Sequence, residues 1–155
     1  MPTITPNLWF ENKDGLEAAE LYTKVFPNSA ITSVNQMGDG SVITVDFTLD
    51  GQHFTALNGG PHQSPNDAVS FSVVCADQAE VDHYWSMLTE NGGTEVQCGW
   101  LKDRWGFSWQ IVPQRFFELI GDPDPARVQR TMAAMMEMVK LDVAALEAAA
   151  DGTGA

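Results

Sequence analysis

The sequence predicts an α+β chain: two βαβββ modules forming a cupped mixed sheet, followed by a long C-terminal helix. Three observations carry this. The order strand, helix, strand, strand, strand is read twice, at a period of about 60 residues, too long for solenoid units. Neither copy buries the apolar face of its sheet alone, so a shared cup is the natural closure. Beyond Pro113, period-2 alternation gives way to helical spacing. A length of 155 residues with 44% apolar positions fits a single domain with a substantial core. Module 1 takes in about residues 3–60, module 2 about 67–113 and the extension about 114–150.

Thr3 to Phe10 reads as the first strand, with Pro6 placing it near an edge or at a strand start. Asp14 offers an N-cap, and Glu17 three residues on completes a capping-box pattern. Leu16, Ala19, Tyr22 and Phe26 follow at helical spacing until Pro27-Asn28. Ala30 to Gln36, Val42 to Leu49 and His53 to Asn58 are strands, joined by Gly38-Asp39-Gly40 and by the hairpin signal Asp50-Gly51. Gly59 to Asp67 is a loop.

The order then recurs. Val69 to Cys75 is a strand, and Asp77 with Glu80 caps a helix whose Val81, Trp85 and Leu88 share one face. Asn91-Gly92-Gly93 ends it. Glu95 to Gln97, Trp100 to Lys102 and Phe107 to Val112 are strands, the last two joined by the turn Asp103 to Gly106. Phe116 to Ile120 is a short helix. Asp122-Pro123-Asp124-Pro125 is a break, with Asp124 as cap and Pro125 in the first turn. Val128, Met132, Met135, Met136, Val139, Val143 and Leu146 predict one long amphipathic helix, frayed over Asp151 to Ala155.

Composition excludes several functions. Eight basic against 21 acidic residues give a net charge of −13, which repels phosphate backbones and anionic membranes. No apolar run approaches the ~20 residues of a spanning helix, and the N-terminus lacks a basic, signal-like start. Cys75 and Cys98 are too few for a disulfide framework, so a cytoplasmic location with free thiols is expected. His53, His62 and His83 are scattered. His62 and His53 converge only if a loop and a strand bring them together; otherwise they are solvated.

Five segments carry a family resemblance: Ile4-Thr5-Pro6-Asn7-Leu8-Trp9-Phe10, the helix end Leu21 to Ser29, Ala56-Leu57-Asn58-Gly59-Gly60-Pro61, Gln78 to Trp85, and the specific run Cys98 to Pro113. With these the chain resembles the PhnB-like branch of the vicinal oxygen chelate superfamily, whose domains carry the label 3-demethylubiquinone-9 3-methyltransferase. The Asp-Pro-Asp break and the Met-rich helix also fit, so the resemblance extends over nearly the whole chain. It implies paired βαβββ modules and a homodimer. Metal-dependent relatives place His or Glu on the first and last strands of each module. Those positions carry over here to Asn7, to Ala56 or Asn58, to Ser70 and to Gln110.

Such an Asn–Ser–Gln set offers neutral oxygens only, with no anionic charge to offset desolvation of an ion, so no metal and no cofactor are expected. The methyltransferase label requires a glycine-rich strand-to-helix turn for its nucleoside cofactor, and none is present. Period-2 alternation groups Asn7 with Trp9, Ser70 with Ser72, and Ser108 with Gln110. Together with Asn58, Cys98 and Trp100 these are the candidate cavity residues, suited to a small neutral or aromatic ligand. The alternative is that the modules simply pack together, with these groups bonded internally. A second alternative is an enzyme, metal-assisted as in glyoxalases and dioxygenases or a true methyltransferase. An enzyme needs a titratable group in the cup, which the alternating set Asn7, Trp9, Ser70, Ser72, Ser108 and Gln110 lacks; Asp46, Glu95 and Lys102 enter only if the register slips by one.

Overall fold

The computed structural model describes residues 1–153. The chain divides into two compact units, Met1–Pro65 and Asn66–Ala155. In the first, β1 (Asn7–Trp9), α1 (Gly15–Val25), β2 (Ala30–Gln36), β3 (Val42–Leu49) and β4 (Gln52–Leu57) form a four-stranded sheet in the order β1-β4-β3-β2. The β1–β4 pair is parallel and the two hairpin pairs are antiparallel. Pro6 sets the start of β1, which is shorter than expected. Its carbonyl accepts from Thr55 N at 3.0 Å, and regular pairing begins one residue later.

Helix α1 buries Ala18, Ala19, Tyr22 and Val25. The sheet supplies Val45, Phe47 and Leu49 from β3 and Phe54 and Ala56 from β4, all buried. The Phe47 ring stacks on Phe54 at 5.5 Å and lies 6.2 Å from Tyr22. Asp14 stands at the N-cap of α1, yet its side chain makes no cap hydrogen bond. Asn58, just past β4, supplies the acceptor: Gly15 N donates to its Oδ1 at 2.9 Å. A Cβ on Gly15 would lie 2.8 Å from that oxygen, so glycine permits the approach.

The second unit repeats the plan. β5 (Ser70–Cys75), α2 (Gln78–Thr89), β6 (Thr94–Glu95), β7 (Trp100–Lys102) and β8 (Ser108–Pro113) form a sheet in the order β5-β8-β7-β6, with β5–β8 parallel. Here the capping signal read from sequence is realised. Asp77 accepts from Glu80 N at 2.9 Å, and Glu80 returns a carboxylate to Ala76 N at 2.7 Å. Helix α2 buries Val81, Trp85 and Leu88, and the sheet buries Cys75, Leu101, Trp109 and Ile111.

After β8 come three helices: α3 (Gln114–Ile120), α4 (Pro125–Met136) and α5 (Val143–Asp151). The single long helix expected beyond Pro125 is therefore two, and the interruption has a specific cause. The Met138 and Val139 carbonyls accept from Cys98 N (2.7 Å) and Gly99 N (2.8 Å) instead of from residues four further on. Gln78 takes the next groups: its Nε2 donates to Leu141 O at 3.1 Å, and its Oε1 accepts from Val143 N at 2.8 Å. Asp142 then caps α5 through Ala145 N. Val112, Phe116, Leu119, Leu141, Leu146 and Ala150 form the apolar cluster that seats the extension. The fraying expected from Asp151 is absent at its start: Asp151 is helical and Gly152 ends the helix at φ 73°. Gly154 and Ala155 lie outside the described residues.

Candidate functional site

Each sheet presents its helix-free face as a candidate surface. On the second sheet, strand pairing aligns Ser72, Gln110 and Trp100 in one cross-strand row and Ser70, Ser108 and Lys102 in the next. These alternate with Leu101, Trp109 and Ile111, buried on the helix side. Five of the expected cavity residues are thus neighbours. Gln110 Nε2 donates to Ser70 Oγ at 2.8 Å, which fixes the amide and leaves its carbonyl oxygen for another donor. Ser72 is exposed, while Gln110 and Trp100 are half-buried. Ser108 is buried and donates to Asp67 Oδ1 at 2.9 Å, and Lys102 Nζ pairs with the same oxygen at 3.0 Å. The lysine, and then the serine hydroxyl, hold the Asp67 carboxyl below its ordinary range.

On the first sheet, Asn7 pairs with Thr55, Thr55 with Asp46, and Asp46 with Ser33. Trp9, Leu57, Thr44 and Asn35 make the adjoining row. Thr55 Oγ1 donates to Asp46 Oδ1 at 2.7 Å, and Asn35 Nδ2 donates to Thr44 Oγ1 at 2.9 Å. The indole of Trp9 is pinned by its Nε1–H to Gly60 O at 2.8 Å, and its ring lies where a side chain on Gly59 would stand.

Two of the expected residues leave these faces. Asn58 turns to α1: besides capping Gly15 it donates to Val42 O at 3.1 Å, so its amide is engaged in holding structure. It borders an open hollow of about 400 Å³ lined by Leu16, Glu17 and Glu20 of α1 and by Lys13, Asp14 and Ser41. Cys98 turns to the extension, its Sγ 3.9 Å from Met136 Sδ. The fourth-strand position read as Ala56 or Asn58 thus reaches neither open face, since Ala56 is buried on the α1 side.

Titratable groups do reach these faces, and no register slip is involved. Asp46 has the parity of Thr44 and Thr48, opposite Val45, Phe47 and Leu49. Lys102 has that of Trp100. The alternation in Val42 to Leu49 already carried this signal; counting the parity of Asp46 against Asn7 needed the strand pairing. Asp103 was also missed, as a turn residue. It is buried and accepts from Trp105 N, Phe107 N and Trp109 Nε1 at 3.0, 3.1 and 2.9 Å. It supports the turn that delivers β8. His53, His62 and His83 are all exposed.

Two four-stranded mixed sheets, each with a helix on one face and polar groups on the other, define a paired-βαβββ protein of glyoxalase-like architecture. The model of the family described as 3-demethylubiquinone-9 3-methyltransferase matches residues 2–112, and the chain belongs to that family. Among solved structures it is similar to a PhnB protein from Bacillus cereus, with 30% identity, a TM-score of 0.63, and coverage of 72% of this chain and 99% of that one. A fosfomycin resistance protein, FosX, from Listeria monocytogenes shares the fold at 12% identity and a TM-score of 0.53, over 76% of this chain and 94% of that one. So does a glyoxalase-related enzyme from Fulvimarina pelagi, at 14% identity and a TM-score of 0.52, over 74% of this chain and 89% of that one. No curated protein matches the chain in sequence. The family match ends at Val112, so the helical extension, which the sequence resemblance took in, lies outside it.

The residues that the family resemblance put at metal positions do not fit a divalent ion. Asn7, Ser70 and Gln110 are neutral, Ala56 has no donor, and the Asn58 amide is engaged. Among the described residues no three of His, Cys, Asp and Glu stand together as a ligand set. The strand-to-helix turns, Phe10 to Asp14 and Ala76-Asp77, contain no glycine to admit a nucleoside cofactor's phosphate or sugar. No helix among the described residues is long and apolar enough to cross a membrane.

Proposed function

We propose that this protein binds a small organic molecule, without a metal, on the polar face of its second sheet. The observation that carries this is the row Ser72–Gln110–Trp100. A hydroxyl, an amide fixed by Ser70 and an indole stand side by side on one face, on strands held rigid by the core behind them. Such a row orients a planar ligand by stacking on the indole and by one or two hydrogen bonds to the amide and hydroxyl. The Lys102–Asp67–Ser108 group borders it and supplies both signs of charge at its edge. We carry the homodimer implied by the family resemblance as part of the same reading. Sedimentation at twice the protomer's 16.9 kDa is the expected result.

The test is amide NMR of the purified protein before and after unfolding and refolding, which strips small molecules. The amides of Ser70 to Ser72, Trp100 to Lys102 and Ser108 to Gln110 should shift on stripping. Identical spectra would contradict the reading.

A further inference from the structure

We propose that Cys98, Met136 and Met132 form a binding site for a soft monovalent cation, Cu(I) being the physiological one. The proposal is independent of the small-molecule reading, because the site lies where the extension docks and not on either polar sheet face.

Four of the chain's seven methionines, Met132, Met135, Met136 and Met138, crowd into the end of α4 and the turn after it. Packing accounts for only part of this. Met135 and Met138 lie against the apolar cluster of the extension. Met136 and Met132 remain 57% and 38% exposed. They stand four residues apart on α4 and therefore share a helix face. Met136 is the residue that meets Cys98, Sγ to Sδ, at 3.9 Å. A metal about 2.3 Å from each sulfur, a typical metal–thiolate length, would subtend an S–metal–S angle of about 116°. That angle lies between tetrahedral and trigonal, and Met132, one helical turn before Met136, is the third donor assigned to the site.

The pair is held in place by backbone. Cys98 N and Gly99 N donate to Met138 O and Val139 O at 2.7 and 2.8 Å, tying the thiol's loop to the turn that follows Met136. Thiolate and thioether are soft donors and select Cu(I) over the hard divalent ions. On binding, the Cys98 S–H bond breaks, sulfur keeps the electron pair to form the S–Cu bond, and the proton leaves to solvent. The net charge of −13 favours the approach of a cation. The second thiol does not compete: Cys75 is fully buried, and burial pushes it up to about 12.

The experiment is an anaerobic competition for Cu(I) held by excess bathocuproine disulfonate. Wild type is compared with Cys98→Ser, Met136→Leu and Met132→Leu, each confirmed folded by circular dichroism. Leucine keeps the volume of methionine and removes the sulfur, so the two helix variants do not depend on the thiol loop tolerating change. We expect wild type to withdraw one equivalent, Cys98→Ser to withdraw none, and each leucine variant to bind about 10- to 100-fold more weakly. Failure of wild type to compete, or unchanged affinity in either leucine variant, overturns the proposal.

Discussion

At the residue scale, Asp103 shows how one buried carboxylate shapes the candidate surface. Its two oxygens gather two loop amides and the Trp109 indole, so the turn before β8 has one conformation. Asp103→Asn keeps an acceptor but sets an amide N–H against one of those donors. Urea denaturation should show a loss of about 1–3 kcal/mol. Cys75 gives a second test. Its buried thiol is pushed from the ordinary 9.0 to about 12. Above pH 9.0 the unfolded chain gives up that proton while the folded chain keeps it, so stability falls as pH rises through the window to about 12. In Cys75→Ala the decline across that window should be shallower than in wild type. Equal slopes in chemical denaturation at a series of pH values would contradict the burial of this thiol.

At the element scale, the extension is joined to the second module by a few directed bonds. Gln78 is central to them: one amide side chain satisfies Leu141 O and Val143 N where α4 and α5 separate. Gln78→Ala leaves both groups without that partner and should cost about 1–3 kcal/mol. It should also speed amide hydrogen exchange at Cys98 and Gly99, whose protons bond to Met138 and Val139. The same region marks the limit of what the sequence disclosed. Both βαβββ repeats, the Asp77–Glu80 cap and the hairpin at Asp50-Gly51 are local signals, and the elements follow them. The break between α4 and α5 depends on partners at Gln78, Cys98 and Gly99, far away in the chain, so periodicity ran straight through it. For the same reason Asp14 read as a cap when Asn58, just past β4, does that work. Alternation grouped Ser70 with Ser72 and Ser108 with Gln110. Strand pairing was needed to set Trp100 and Lys102 beside them and to place Asp46 in register with Asn7.

At the scale of the whole molecule, the βαβββ plan read from the sequence is present in both units. The family resemblance implies ionisable ligands at the positions of Asn7, Ser70 and Gln110 in metal-dependent relatives, and all three residues here are neutral. What the second sheet presents in their place is a fixed amide, hydroxyls and an indole. A net charge of −13 repels phosphate backbones, which is in keeping with the small-molecule ligand we propose. The most direct measurement is native mass spectrometry of the untagged protein as purified, beside a denatured control and beside Gln110→Ala. The account predicts wild type carrying a non-covalent organic mass that is absent from the denatured control and diminished in Gln110→Ala. Wild type without such a mass, or an adduct that Gln110→Ala retains in full, would contradict it.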